Sequence, residues 1–129
     1  GKNDFERVLQ EYKKLQIEAD IFPFHNELFL KMADADLAIS RAGASTIWEL
    51  CANGLPCIFV PYPFAASNHQ YFNAEFFSDK QLGFLVLDGE LQNFKIDKIL
   101  NYDIQNISSK LQKLIKPGGA KIMTNEIFN

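Results

Sequence analysis

Basic charge, cysteine and long apolar runs are all scarce in this chain, and each scarcity removes a class of protein. Lysine and arginine number 13 against 16 aspartates and glutamates, for a formal net charge of −3. A nucleic-acid binder needs a basic face to displace counterions, so no nucleic-acid partner is expected. Only two cysteines occur, Cys51 and Cys57. They are too few for a disulfide scaffold, which points to a reducing compartment. The longest apolar stretch, Leu55 to Ala66, carries Pro56, Pro61 and Pro63. It falls well short of the roughly 20 residues that a membrane-spanning helix needs. The opening Gly1-Lys-Asn-Asp-Phe-Glu-Arg7 has no apolar h-region of a signal peptide. It also lacks an initiator methionine, so a processed, tagged or truncated chain is expected. With 47% apolar and 22% charged residues the chain is too apolar for intrinsic disorder. Its 129 residues suit one domain.

The pattern along the chain alternates helices with short strands. Asn3 and Glu6 form a capping box for a first helix whose Phe5, Val8, Leu9, Tyr12 and Leu15 make a core-facing stripe. Ala19 to Phe22 reads as a strand ended by Pro23, and Asn26 as the cap of a helix presenting Leu28, Phe29 and Met32. Asp36 to Ser40 reads as a strand buried on both faces. A tight turn then leads into a helix from about Ser45 to Asn53, closed by Gly54 and Pro56. Cys57 to Val60 is a second buried strand, Asn68 caps a helix to about Lys80, and Phe84 to Leu87 is a further strand. Helical patterns near Phe94 to Leu100 and Ile104 to Ile115 follow, before Pro117-Gly118-Gly119 breaks the chain. Strands alternating with helices predict a doubly wound α/β domain with a parallel sheet.

In such a sheet, ligands bind beyond the carboxyl ends of the strands. The informative stretch is therefore Ser40 to Glu49, where Gly43 lets the backbone turn closely and a helix begins. Free N–H groups from about Ala44 to Ile47 and the positive end of the helix dipole suit a phosphate or a sugar hydroxyl. Glu49, one turn further in, is placed to accept hydrogen bonds from vicinal hydroxyls such as those of a ribose. On spacing alone, the ordinary reading is that Ser45 or Thr46 caps the helix and Glu49 is solvated. The second candidate is Pro61 to Asn73, where the amides of Asn68 and Gln70, with His69 between them, open a helix on the same edge. Simple capping by Asn68 fits this stretch equally well.

The run from Ala33 to Pro56 closely resembles the signature of the MurG family. An apolar strand is followed by Ser40-Arg-Ala-Gly-Ala-Ser-Thr46, a helix bearing Glu49, and then Gly54-Leu-Pro56. The likeness continues through Phe59-Val-Pro-Tyr-Pro63 and Asn68-His-Gln-Tyr-Phe-Asn-Ala74, and more loosely through the opening residues and Phe22 to Asn26. The family comprises GT-B glycosyltransferases that move N-acetylglucosamine from UDP-GlcNAc to the lipid-linked muramyl-pentapeptide of bacterial peptidoglycan synthesis. The resemblance covers about residues 1–90 and is specific to the donor-binding half.

It implies that Ala44, Ser45, Thr46, Ile47, Trp48 and Glu49 surround the UDP-sugar. Backbone groups at Ala44 to Thr46 would meet sugar and phosphate, and Glu49 would hold the ribose. Gln70 would contact the GlcNAc hydroxyls with His69 as neighbour. His25 would stand where the family uses a backbone contact to the uracil. Trp48 is large for its place and is expected to pack against an adjacent helix. The family's first strand and glycine-rich turn, and the N-terminal domain supplying acceptor site and catalytic base, are not represented in residues 1–129. The expectation is thus a partial C-terminal UDP-sugar-binding domain without catalytic residues of its own. The partner would be UDP-GlcNAc, with the lipid-linked acceptor held by the other domain, at the cytoplasmic face of the membrane. An uncovered sheet edge would favour self-association. A donor-binding subunit serving a partner chain, or an enzyme using another UDP-sugar, are the alternatives.

The remaining reactive residues have plain readings. Cys51 and Cys57 lack metal-ligand spacing and read as buried small hydrophobes. His25 and His69 lie far apart without a cysteine or carboxylate cluster, so neither a metal nor another cofactor is expected. Arg41 has two readings, a phosphate contact or a pair with a carboxylate such as Asp36.

Overall fold

The computed structural model describes residues 3–128. Three short parallel strands, β1 (Ala38–Ser40), β2 (Cys57–Phe59) and β3 (Phe84–Leu85), pair in the order β1-β2-β3. The register sets Ala38 beside Cys57 and Ile58 beside Phe84. Helix α3 (Ala44–Asn53) joins β1 to β2, and α4 (His69–Asp79) joins β2 to β3. The chain enters through α1 (Phe5–Lys14) and α2 (Leu28–Ala33), and leaves through α5 (Asp97–Leu100), α6 (Ile104–Leu114) and α7 (Gly119–Phe128).

Side chains alternate across β2 as a pleated strand requires, and the two faces bury different partners. Cys57 and Phe59 point into a core with Ile47, Leu50 and Cys51 of α3, Ala74 and Phe77 of α4, and Ile107 and Leu111 of α6. Ile58 and Val60 point the other way, against Val86 and Ile99 with Phe84, Phe94 and Ile104 around them. Both faces of the central strand β2 are covered, as the α/β expectation requires. Burial pushes the Cys51 thiol up to about 11 and the Cys57 thiol up to about 12. Both are free thiols that stay protonated at neutral pH.

Gly54 ends α3 in the left-handed region at φ 62°, where a side chain would be strained. Its N–H donates to Cys51 O at 3.0 Å while Leu55 N–H donates to Leu50 O at 2.9 Å, the paired bonds of a Schellman motif. A Cβ at Gly54 would lie 2.6 Å from Ser108 Oγ, so the glycine also lets α6 approach α3. Helix α6 starts as its sequence suggests, with Asp103 accepting from Asn106 N–H at 2.9 Å.

Several local expectations are corrected. The capping box at Asn3 does not form: Asp4 holds the cap position without a side-chain cap bond, and it pairs with Arg7 instead. No residue of α1 is buried, so its apolar stripe is not core-facing. Ala19 to Phe22 is irregular rather than a strand. A strand needs a neighbour to pair with, and the outer edge of β1 has none among the described residues. Ile39 of β1 is 57% exposed, because nothing among the described residues covers its face of the strand, so β1 is not buried on both faces. Glu27, not Asn26, precedes α2. Asn68 stands at the start of α4 without capping through its side chain, because its backbone is left-handed at φ 53°. Residues Asp88–Asn93 take a 3-10 turn, which delays α5 to Asp97.

Candidate functional site

All three strands deliver their carboxyl ends to one edge, and the loops there form the candidate site. Gly43 is the residue before α3, at φ −70° and ψ 144°, an extended conformation open to any residue. A Cβ placed on it would meet nothing closer than Thr46 Oγ1 at 4.0 Å. Neither strain nor packing inside the chain calls for glycine here. What its missing side chain does is leave the helix start uncovered and uncapped. Ile47 N–H bonds to Gly43 O at 3.0 Å. The N–H groups of Ala44, Ser45 and Thr46 have no acceptor among the described residues, and no side chain caps them. Three free donors at the positive end of a helix dipole are suited to an anion.

This geometry sorts the expected residues. Ser45 is exposed and Thr46 half-buried, and neither caps the helix. Ile47 is corrected in one respect: its N–H is not free but bonded to Gly43 O, while its side chain is mostly buried. Glu49 is exposed and forms no ion pair among the described residues. It borders a groove of about 570 Å³ together with Trp48, Ala52, Leu114, Ile115 and Lys116. Trp48 is also corrected, because it is 57% exposed rather than packed away against a helix. It forms the wall between that groove and a second of about 460 Å³, whose lining includes Ala44, Phe72, Asn73 and Phe76.

The loop after β2 is held by its own polar contacts. Ser67 and Asn68 are both left-handed, at φ 50° and 53°, which turns the chain sharply into α4. His69 Nδ1 lies 2.7 Å from Ala66 O. A carbonyl can only accept, so the proton sits on Nδ1 and Nε2 is left outward. Gln70 Oε1 accepts from Tyr62 N–H at 2.9 Å, which leaves its NH2 as the free end. Asn73 Nδ2 donates to Ala42 O at 3.0 Å, tying α4 to the turn that precedes α3. His25 stands apart in the segment before α2, its Nδ1 accepting from Glu27 N–H at 3.1 Å and its ring edge-on to Phe22. Among the described residues, no hydrogen bond joins it to the α3 start.

Of the two readings of Arg41, the structure shows the carboxylate pair, though the carboxylate is not that of Asp36. Arg41 pairs with Asp88, in the loop after β3, at 2.6 Å. Asp88 is the residue that sequence reasoning passed over as a functional candidate. The available signal was an acidic residue just beyond a strand, on the edge where loops converge. Among the described residues, no group of three histidines, cysteines or carboxylates is placed to hold a metal. Among them, too, no helix is long and apolar enough to cross a membrane.

A parallel sheet with crossover helices, one of which begins uncapped at the carboxyl edge, is a Rossmann-like α/β domain in its architecture. Residues 1–123 match the glycosyltransferase family 28 C-terminal domain, and the chain belongs to that family. It is 51% identical over 124 residues to the UDP-N-acetylglucosamine–N-acetylmuramyl-(pentapeptide) pyrophosphoryl-undecaprenol N-acetylglucosamine transferase of Campylobacter jejuni strain RM1221. That match covers 95% of this chain and 36% of the relative. The enzyme of the same name from Campylobacter fetus is 46% identical over 129 residues, 99% of this chain and 38% of its own length. The crystal structure of Acinetobacter baumannii MurG superposes with a TM-score of 0.86 at 25% identity, covering 98% of this chain and 40% of that one. The chain thus spans little more than a third of the length of these curated relatives.

Proposed function

We propose that this chain is the donor-binding part of a transferase that moves N-acetylglucosamine from UDP-GlcNAc to a lipid-linked muramyl-pentapeptide. The observation that carries this reading is the uncapped start of α3 behind Gly43, with Glu49 further along the same helix. At about 1.5 Å rise per residue, Glu49 lies about 7.5 Å along the axis from Ala44. That spacing suits a ribose held by the carboxylate and a diphosphate on the amides of Ala44, Ser45 and Thr46. Gln70 then offers its NH2 to the sugar hydroxyls, with His69 Nε2 beside it. His25 serves the uracil end through its backbone.

The acceptor and the catalytic base belong to the part of the enzyme outside residues 1–129, at the cytoplasmic face of the membrane. The relatives' names and the donor-site pattern support this division of labour. A transfer assay of the intact protein with UDP-GlcNAc, UDP-GalNAc and UDP-glucose tests it. UDP-GlcNAc should be preferred by at least about tenfold in kcat/KM, a difference of about 1.4 kcal/mol. Equal use of the three donors, or preference for another, overturns the assignment.

A further inference from the structure

One side chain joins all three loops at the carboxyl edge. Arg41 leaves the end of β1, and its Nη1 donates to Val60 O at 3.0 Å and to Pro61 O at 3.1 Å. The same nitrogen pairs with Asp88 Oδ1 at 2.6 Å, and the guanidinium lies over the Tyr62 ring, 5.7 Å from its centroid. The Arg41 side chain is 48% exposed, and a single ion pair at that exposure would hold little. Two carbonyls, a carboxylate and an aromatic face on two other loops make it a fixed strut instead.

The Pro61 carbonyl that Arg41 grips belongs to the same planar unit as the Tyr62 N–H. That N–H is the donor to Gln70 Oε1 at 2.9 Å. Because the peptide is planar, its two ends turn together. Freeing the carbonyl would let the N–H swing, and the Gln70 amide would lose the bond that decides which of its ends faces outward.

We propose that Arg41 is a positioning residue for Gln70. Anchored by Asp88, it holds the Pro61–Tyr62 peptide so that the Gln70 NH2 faces the site. Arg41 itself touches no ligand on this account. That the amide meets a sugar rests on the UDP-sugar reading above; the relay from Arg41 to Gln70 does not.

The test uses the intact protein with Arg41→Gln, Asp88→Asn, Gln70→Ala and the double variant Arg41→Gln/Gln70→Ala. NMR of selectively labelled, ligand-free protein follows the Tyr62 backbone amide and the Gln70 side-chain amide, the latter assigned by its disappearance in Gln70→Ala. Donor kinetics follow KM for UDP-GlcNAc and inhibition by UDP. Arg41→Gln should displace both resonances and raise KM for UDP-GlcNAc about three- to tenfold, with UDP inhibition changed less than about twofold. In the Gln70→Ala background, Arg41→Gln should add less than about twofold, since the two act as one unit. Asp88→Asn alters an exposed carboxylate and keeps the test open if Arg41→Gln fails to fold; it should displace the same two resonances to a smaller extent. Unmoved resonances, equal effects in both backgrounds, or equal losses for UDP and UDP-GlcNAc would each overturn the proposal. Displaced resonances with KM unchanged in both Arg41→Gln and Gln70→Ala would uphold the relay and overturn the UDP-sugar reading.

Discussion

Leu50→Ala is expected to destabilise the chain by about 2–5 kcal/mol, the range for deleting a fully buried leucine side chain. Leu50 is 2% exposed and sits where α3 meets β2, α4 and α6. Its carbonyl also receives the Leu55 N–H in the turn around Gly54. Truncation keeps that backbone bond but opens a cavity that the flanking Cys51, Cys57 and Phe77 cannot fill without moving the sheet. Urea unfolding followed by the fluorescence of Trp48, the single tryptophan, should show a lower midpoint with unchanged slope. An unchanged midpoint would mean that α3 is not seated on the core as described.

The neighbouring residue should behave in the opposite way. Glu49→Ala removes an exposed carboxylate without a partner among the described residues, so stability should change by less than about 0.5 kcal/mol. In the intact protein the same substitution should weaken donor use about ten- to a hundredfold, because a charged hydrogen-bond acceptor for the ribose contributes roughly 1.5–3 kcal/mol. Uridine-free donor fragments lacking the ribose should lose nothing. Donor kinetics indistinguishable from wild type would remove Glu49 from the site. Two adjacent positions on one helix thus separate folding from binding, one facing the sheet and the other facing away from it.

What could be read directly from sequence was local. Glycine at position 54 announces a left-handed helix end, and the apolar run Cys57-Ile-Phe59 announces a buried strand; each depends on residues within a few positions. Ala19 to Phe22 has equal strand character but no neighbour to pair with, and pairing is decided by chain far away in sequence. The exposure of Ile39 is likewise set by what covers its face, which residues local to β1 do not announce.

The candidate site divides along the same line. The outward Glu49 was legible because helix periodicity sets it. That Gly43 rather than Ser45 or Thr46 occupies the cap position depended on where the helix begins, which side-chain pattern alone leaves open. The pairing of Arg41 with Asp88 joins loops from opposite edges of a three-stranded sheet, and nothing local to either residue announces it. Trp48 was misjudged for a related reason. Its size suggested packing, yet helix geometry turns it to the groove side of α3 while Ile47 and Leu50 take the core.

The account stands on the claim that the uncapped amides behind Gly43 receive the donor's phosphates. Calorimetric titration of UDP-GlcNAc into the intact protein and its Gly43→Val variant tests this most directly. The backbone at Gly43 accepts an L-residue and a Cβ has room within the chain, so the variant should keep its melting temperature within a few degrees. Its branched side chain would cover the helix start, and affinity for UDP-GlcNAc should fall at least about tenfold, the loss of about 1.4 kcal/mol. A variant that melts like wild type and binds UDP-GlcNAc just as tightly would contradict the assignment.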